Sequence, residues 1–309
     1  MRVGVDIGGT KTQAVAVADD GTVLASRVRP TVRGPRGVLD TAVRAVADVA
    51  GAGGGSRAPE SVGVGIPGAV DAASGTVRTA VNLDLDALPL GAELARRTGL
   101  PVRVENDVKA SALGAAQRFG GPAGTVTYLN VGTGVGAATV LRGALLRGTA
   151  GWAGELGHLV VEPDGPACGC GQRGCLEAVA GGGALRKRLA ALDPPVALPD
   201  LCSSADLGGR LARERDRVVG ALAQALTAAA LAYDPDVIAV GGGVLAHGTG
   251  LLPRVLDTLR ARATTSAFLT DLAIDRRIRT VPEDWPVAAV GAALVGALPP
   301  EPAAGALAG

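Results

Sequence analysis

Two stretches of the chain share one pattern: an apolar strand, a glycine-rich turn and a second apolar strand. The first comprises RVGVDI (2–7), GGTKT (8–12) and QAVAVAD (13–19), and the second is GTVTYLNVGTGVGAATVLRGALLRG (124–148). Short runs rich in valine on either side of a tight glycine turn predict paired antiparallel strands. A chain that begins two α/β regions in the same way is expected to fold into two related domains facing one cleft.

The first glycine turn joins two strands rather than a strand and a helix. It contains neither G-x-x-x-x-G-K-[ST] nor G-x-G-x-x-G. It offers a carboxylate at the strand end, exposed N–H groups, two hydroxyls and a lysine. These belong to Asp6, Gly8, Gly9, Thr10, Lys11 and Thr12. Such a turn can cradle phosphate oxygens while Asp6 holds a magnesium ion or its water. An ordinary β-turn is the alternative.

Two later junctions place polar or glycine residues where a strand ends. VRVENDVKASALGAA (102–116) is predicted to change from strand to helix after Glu105-Asn106-Asp107. Adjacent polar residues at such a junction often face a cleft, although Asn106 or Asp107 could instead be only the helix N-cap. DVIAVGGGVL (236–245) predicts a buried strand whose Gly241, Gly242 and Gly243 suit close packing against an adenosine or its phosphate. Further helices are predicted over 35–51, 89–98, 184–192, 206–232 and 287–298.

The segment GHLVVEPDGPACGCGQRGCLE (157–177) concentrates the scarce soft ligands of the chain. It holds Cys168, Cys170, Cys175 and His158, which are three of the four cysteines and one of the two histidines. Cys₃His is a structural zinc set that leaves no open coordination position. Gly169, Gly171 and Gly174 would let the backbone fold tightly around an ion. Buried, reduced thiols in a loop are the alternative, and Cys202 is assigned no role.

Composition narrows the class of protein. With a formal net charge of +1, the chain as a whole is not expected to attract nucleic acid or an anionic membrane surface electrostatically. No secretory signal and no apolar run of the roughly 18–20 residues needed to span a bilayer are present. With 48% hydrophobic residues but only 2% aromatic ones, Ala, Val and Leu must fill the core. Four cysteines are too few for a disulfide scaffold, so a reducing cytoplasm is expected.

These features together resemble the ROK family of sugar kinases and regulators, in the actin/hexokinase-like ATPase superfamily. The resemblance extends from DIGGTK (6–11) to GAALVGA (291–297). The family's metal signature, a G-H followed by G-x-x-C-x-C-G-x-x-G-C-x-E, is met at Gly157, His158, Gly165, Cys168, Cys170, Gly171, Gly174, Cys175 and Glu177. ROK repressors carry a DNA-binding segment ahead of the phosphate loop, and here that loop begins at residue 6. A kinase is therefore favoured over a sugar-sensing regulator without turnover.

The resemblance implies an α/β, two-domain actin-like (ribonuclease-H-like) ATPase fold with a zinc-binding loop in the larger domain. The small domain would span 1–117 plus 287–309, and the large domain 118–286. Asp6, Gly8, Gly9, Thr10 and Lys11 would form the first ATP phosphate loop, Gly132, Thr133 and Gly134 the second, and Gly241–Gly243 would pack on adenosine. Mg²⁺ would bridge the phosphates. Family members are commonly homodimers or homotetramers.

The resemblance also implies a sugar pocket and a catalytic group. The pocket would use Gly68, Asn82, Asn106, Asp107, Glu155, His158 and Glu177. Asp107 would be the general base that takes the proton from the 6-hydroxyl of a glucose-type hexose. His158 would bind Zn²⁺ through one ring nitrogen and the sugar through the other, so that the metal loop would hold Glu155, His158 and Glu177.

Three departures from the usual family pattern bear on the substrate. Val108-Lys109 follows Asp107 where small residues and an asparagine are usual, Ala137-Ala138 follows the second turn, and Trp152 replaces a small residue. Trp152 either reshapes the pocket or packs on the zinc loop. An amino sugar such as glucosamine, kanosamine or an N-acetylhexosamine is therefore an alternative to glucose.

Overall fold

The computed structural model describes residues 1–51, 58–121, 123–202, 208–246 and 250–299. The chain divides into two compact units. The first unit comprises Met1–Gly121, Leu145–Ala153 and Asp284–Gly309, and the second Pro122–Ala144 and Gly154–Glu283. The sequence placed these boundaries at 117/118 and 286/287 and did not anticipate that 145–153 joins the first unit. The predicted domain end at 300–309 lies outside the described residues.

The described residues form short strands and helices of varied length. The strands are β1 (Arg2–Ile7), β2 (Lys11–Val17), β3 (Val23–Pro30), β4 (Val62–Ile66), β5 (Ala69–Asp71), β6 (Thr76–Ala80), β7 (Leu85–Leu88), β8 (Val102–Asn106), β9 (Val126–Val131), β10 (Val135–Leu141), β11 (Ala144–Leu145), β12 (Val237–Gly241) and β13 (Ile278–Thr280). The helices are α1 (Gly34–Ala50), α2 (Leu90–Thr98), α3 (Asp107–Phe119), α4 (Leu176–Ala180), α5 (Gly182–Ala190), α6 (Leu198–Cys202), α7 (Gly209–Tyr233), α8 (Gly243–Ala246), α9 (Leu251–Ala263), α10 (Ala267–Leu272), α11 (Ile274–Arg277) and α12 (Val287–Val295). None of these described helices is both long and apolar enough to cross a membrane.

The two main sheets have the same topology. The first runs β3-β2-β1-β4-β8 and the second β11-β10-β9-β12-β13. In each, the strands before and after the glycine turn are antiparallel, and the first strand pairs in parallel with a later one. The prediction of two related α/β units is thus confirmed. In each unit the glycine turn follows the carboxyl end of the central strand, which is the usual ligand edge of such sheets.

Small aliphatic side chains fill both cores, as the low aromatic content predicted. Valine, leucine and alanine form nearly all of the buried cluster under each sheet. At α12, glycines let the helix backbone pack directly against neighbouring backbone, so no large side chains are needed to fill the space. A Cβ at Gly4 or Gly63 would clash with helix carbonyls of α12, and one at Gly291 would clash with the Ala110 carbonyl of α3. Packed in this way against the sheet and α3, α12 fixes the helix that begins at Asp107.

Candidate active site and metal centre

The first glycine turn is closed on itself and packed against a predicted sugar residue. Gly8 N–H donates to the Lys11 carbonyl at 2.9 Å, while the Lys11 side chain is exposed. A Cβ at Gly9 would lie 3.5 Å from the Asn82 carbonyl oxygen, so Asn82 borders this turn. Thr10 is exposed at its tip. The first unit therefore brings together the predicted phosphate turn and one residue of the predicted sugar set.

Asp6 and Asp107 form an electrostatically coupled pair of carboxylates. Burial raises the pKa of Asp6 to about 7, the negative charge of Asp107 contributes to this rise, and Lys11 offsets part of the effect. Asp6 stands at the carboxyl end of β1, and Asp107 is the first residue of α3. Two adjacent carboxylates that resist joint ionisation are a donor set that suits a hard cation such as Mg²⁺.

The raised pKa of Asp6 makes stability depend on pH. In the unfolded chain this carboxyl ionises near the ordinary aspartate pKa of 3.8, whereas in the folded protein it keeps its proton to about pH 7. The free energy of unfolding therefore falls as pH rises between these values and levels off above. Without added magnesium, Asp6→Asn should not show this loss. The difference in the free energy of unfolding between Asp6→Asn and wild type should therefore grow by about 3 kcal/mol from pH 5 to pH 8.

Urea unfolding of both proteins across this pH range measures the difference, and the other titrating groups cancel in the comparison. Added Mg²⁺ should shrink the difference, because a cation stabilises the ionised carboxylate. A difference between the two proteins that does not change with pH would contradict the assignment of Asp6 as a desolvated, charge-coupled acid.

Asn106 is the N-cap of α3, which was the alternative left open by the sequence. Its Oδ1 accepts hydrogen bonds from Val108 N–H at 3.0 Å and Lys109 N–H at 3.2 Å. Its Nδ2 donates to the Gly68 carbonyl at 3.3 Å, which joins two predicted pocket residues. The amide oxygen of Asn106 is thus committed to the helix. Asp107, the next residue, is only partly buried at the positive end of α3, where negative charge is stabilised.

Two buried ionisable side chains flank Asp107, and neither was predicted from the sequence. Glu105 is 3% exposed, and its Oε2 accepts a hydrogen bond from Arg147 Nε at 2.7 Å. Lys109 is 5% exposed and donates from Nζ to the Gly151 carbonyl at 2.8 Å. Together these contacts join the segment 145–153 to the end of β8 and the start of α3. The residue after Gly151, Trp152, is 62% exposed, so its ring is largely accessible.

Arg147→Met should destabilise the protein by about 3 kcal/mol, because it leaves the Glu105 carboxylate buried without its cation. Thermal and urea unfolding measure this loss. Glu93→Gln is the matched control, since the Glu93–Arg96 pair is exposed and such pairs contribute less than about 1 kcal/mol. Equal, small effects of the two substitutions would show that the buried pair does not hold the segment.

The second glycine turn presents free donors to an anion. Gly132 N–H donates to the Gly134 carbonyl at 3.0 Å, and the Gly132 and Thr133 carbonyls accept from Gly182 and Gly183 N–H at 2.9 and 2.8 Å. Within the described part of the chain, the N–H groups of Thr133 and Gly134 have no protein acceptor. Adjacent backbone donors in a turn can form an anion-binding nest.

The glycines at the carboxyl end of β12 lie beside this second turn. A Cβ at Gly241 would lie 2.6 Å from the Tyr128 hydroxyl oxygen, and one at Gly242 would clash with the Val131 backbone. Val131 is the residue immediately before Gly132. Gly243 opens α8. The second unit therefore places both of its predicted nucleotide segments next to each other.

The predicted metal ligands meet in one cluster. One ligand atom from each of His158, Cys168, Cys170 and Cys175 lies within 4.8 Å of the others. His158 Nδ1 is 3.7 Å from Cys168 Sγ, and Cys170 Sγ is 3.6 Å from Cys175 Sγ. Ligands about 2.0–2.3 Å from a tetrahedral zinc ion lie roughly 3.6–3.8 Å apart, so the donor set and these spacings fit zinc.

The loop backbone shows why the cluster can close. Gly171 and Gly174 have φ values of +92° and +70°, and a Cβ at Gly174 would clash with the Glu162 carbonyl. Gly169 meets neither constraint, so the prediction of a special backbone role is wrong there. Cys168 N–H donates to the Gln172 carbonyl at 2.8 Å and thereby closes the tip of the loop.

The thiols of the cluster have different environments. The Gln172 backbone N–H holds the pKa of the exposed Cys170 thiol down at about 6. Burial raises the pKa of Cys175 to about 12. Gln172 Nε2 also donates to the His158 carbonyl at 3.4 Å. A zinc ion bound here would hold all three thiols as thiolates and would compensate the buried charge of Cys175.

The three predicted sugar residues of the second unit lie on or beside the metal loop. Glu155 is exposed and precedes the short 3₁₀ turn Leu156–His158. Because His158 Nδ1 faces Cys168, its Nε2 is left for another partner. Glu177 follows Cys175 by two residues, and its Oε2 accepts a hydrogen bond from Val135 N–H at 2.9 Å. This contact with the second glycine turn was not predicted from the sequence.

Residues 2–294 match the family model described as ROK family. Among curated proteins, the chain is 38% identical over 267 residues to a glucokinase of Thermotoga maritima, covering 80% of this chain and 83% of the relative. It is 31% identical over 259 residues to an N-acetylmannosamine kinase of Yersinia pseudotuberculosis, covering 82% and 86%.

Solved structures agree with this relationship. A ROK hexokinase from Thermus thermophilus superposes with a TM-score of 0.81 at 32% identity, covering 96% of this chain and 97% of that one. A ROK family glucokinase from Streptomyces griseus, in complex with glucose and AMPPNP, gives a TM-score of 0.77 at 30% identity, covering 96% and 99%.

Proposed function

The chain belongs to the ROK family, and we propose that it is an ATP-dependent kinase that phosphorylates the 6-hydroxyl of a glucose-type hexose. The observation that carries the proposal is the pair formed by Asp107 and Asp6 beside the first glycine turn. Phosphoryl transfer depends on a carboxylate that orients the nucleophile and on neutralisation of phosphate charge. In this proposal Asp107 would be the carboxylate, and Lys11 together with Mg²⁺ held by Asp6 would neutralise phosphate charge; the glucokinase relatives support the same reaction.

In the proposed reaction Asp107 accepts the proton of the sugar 6-hydroxyl as that oxygen attacks the γ-phosphorus of ATP. The bond from the γ-phosphorus to the bridging oxygen breaks, and ADP leaves with its electron pair. Mg²⁺, held by Asp6 directly or through water, would neutralise the phosphates. N–H groups at Gly9, Thr133 and Gly134 would orient the phosphate oxygens, while the Gly8 N–H closes the first turn and Lys11 would add a positive charge there.

The residues proposed to bind the sugar are those that the family resemblance implies: Gly68, Asn82, Asn106, Asp107, Glu155, His158 and Glu177. Because the oxygen of Asn106 caps α3, Asn106 would act as a donor from its amide nitrogen. The Zn²⁺ of the metal loop would have a structural role, fixing the tautomer of His158 so that Nε2 can serve the sugar.

A second candidate substrate is an amino-hexose. The N-acetylmannosamine kinase relative favours this alternative, and so does Trp152, whose accessible ring stands where the family usually has a small residue.

The family resemblance also leads us to propose a homodimer or homotetramer, which light scattering on the purified protein would measure.

A coupled ADP-release assay over glucose, mannose, glucosamine, kanosamine and N-acetylhexosamines tests the proposed function. Turnover on at least one of these sugars is expected, and the sugar with the highest kcat/KM identifies the substrate class. Glucose as the best substrate would exclude the amino-sugar alternative. Sugar binding without turnover on any member of the panel would overturn the kinase and favour a regulator.

A further inference from the structure

Besides its internal Gly132–Gly134 hydrogen bond, the second glycine turn makes three hydrogen bonds with residues 177–183, at and just after the end of the metal loop. Glu177 Oε2 accepts from Val135 N–H at 2.9 Å. Gly182 and Gly183, at the start of α5, donate to the Gly132 and Thr133 carbonyls. The pairing of β9 with β10 closes the turn at Val131 and Val135, and residues 177–183 hold its outer face. Its conformation therefore depends in part on residues 177–183.

These contacts decide which groups of the turn face a ligand. The two carbonyls that would repel a phosphate are turned toward α5 and are hydrogen-bonded there. The N–H groups of Thr133 and Gly134 remain available on the turn. A nest binds an anion only when its successive N–H groups converge, so the contacts that orient the peptide planes also set anion affinity.

Glu177 lies in a buried helix that begins at the metal loop. It lies in α4, where the neighbouring side chains of Leu176, Val179 and Ala180 are at most 1% exposed. Cys175, the N-cap of α4, is fully buried and belongs to the metal cluster. The closeness of the contact is visible at Gly134, where a Cβ would clash with the Glu177 carboxylate.

We propose that Glu177 is a positioning residue for the nucleotide, which ties the conformation of the second glycine turn to the metal loop. The inference rests on the proposed function, because it takes residues 132–134 as a phosphate-binding turn. Oε2 of Glu177 accepts the hydrogen bond from Val135 N–H, and Oε1 would accept a hydrogen bond from a sugar hydroxyl. Glu177 thus links the nucleotide and sugar groups of the second unit, a role beyond that of a sugar ligand.

Nucleotide affinity of Glu177 variants, measured by calorimetric titration of AMPPNP without sugar, tests the proposal. Glu177→Ala removes the acceptor and should weaken AMPPNP about tenfold, the range expected for a charge-assisted hydrogen bond. Glu177→Gln keeps an acceptor oxygen and should stay within about threefold of wild type. Asp257→Ala, which removes an exposed carboxylate of α9 in the same unit, should leave AMPPNP affinity unchanged. Wild-type affinity in Glu177→Ala would overturn the proposal.

A double-mutant cycle with Gly134→Ala makes the test specific for the contact. In wild type the added methyl group must displace the Glu177 carboxylate, whereas in Glu177→Ala that carboxylate is gone. The loss of AMPPNP affinity caused by Gly134→Ala should therefore be at least about threefold smaller in the Glu177→Ala background. Equal losses in both backgrounds would contradict a direct link.

Hydrogen exchange provides a readout that does not depend on activity. Amides of a peptide covering residues 130–136 should exchange faster in Glu177→Ala and in chelated wild type than in the metal-loaded protein. Unchanged exchange in both would refute the link between metal loop and turn. If wild type shows this protection but binds no AMPPNP, the proposed kinase function fails while the structural link stands.

Discussion

Asp107→Asn is expected to lower kcat by about 10³-fold, because the variant has no carboxylate to accept the proton of the attacking hydroxyl. Sugar affinity should remain within about tenfold of wild type. Asparagine keeps the size of the side chain and an oxygen that can accept from Val108 N–H, as Asp107 Oδ1 does at 3.0 Å. The loss should therefore appear in the chemical step, which single-turnover measurement of ADP formation separates from binding.

Asp40→Asn is the matched control for this prediction. Asp40 lies in α1, is exposed, and pairs with Arg97 at 2.5 Å. The same chemical change there should leave kcat and KM unaltered. If Asp107→Asn retains more than about a tenth of wild-type kcat, Asp107 is not the general base. Asp6 would then be the next carboxylate to test.

Loss of the metal should be the largest structural perturbation. We expect elemental analysis to find about one zinc ion per chain in wild type and almost none in Cys175→Ser. The binding free energy of a Cys₃His or similar site reaches about 10–16 kcal/mol in small zinc domains, and the part that stabilises this unit is lost with it. Because Cys175 is fully buried, a serine hydroxyl there would also lack a metal partner.

Thermal unfolding of Cys175→Ser, and of wild type treated with a chelator, should show the same early transition. Cys202→Ser is the matched control, because the fourth cysteine was assigned no role, and it should keep full zinc content and the wild-type transition. A zinc-free wild-type protein with unchanged stability and full activity would refute a structural metal. Loss of zinc in Cys202→Ser would instead show that the ligand set is wrong.

Local patterns in the sequence were sufficient for the strands, the glycine turns and the metal cluster. The first turn was predicted because its apolar flanks, its glycines and Asp6 are contiguous in the chain. The cysteine loop was predicted because its ligands lie within 18 residues of one another in sequence, from His158 to Cys175. In both cases one short segment carries the chemical groups and the backbone freedom that they need.

The contacts that the sequence did not reveal join distant segments. Glu105–Arg147, Lys109–Gly151 and Val135–Glu177 are each separated by 42 residues. Charged residues such as Glu105 and Lys109 are most often solvent-exposed, so nothing local marks these two as buried. Their partners are fixed only by the packing of whole units. For the same reason, the sequence did not show that 145–153 belongs to the first unit.

Identification of the phosphorylated product tests the central claim most directly. Wild-type protein incubated with ATP, Mg²⁺ and the best sugar of the panel should yield ADP and one phosphate ester, which ³¹P–¹H correlation NMR should assign to carbon 6. The matched 6-deoxy sugar should bind but accept no phosphate. A phosphate ester at another carbon, phosphorylation of the 6-deoxy sugar, or sugar binding without any ester would contradict a hexose 6-kinase.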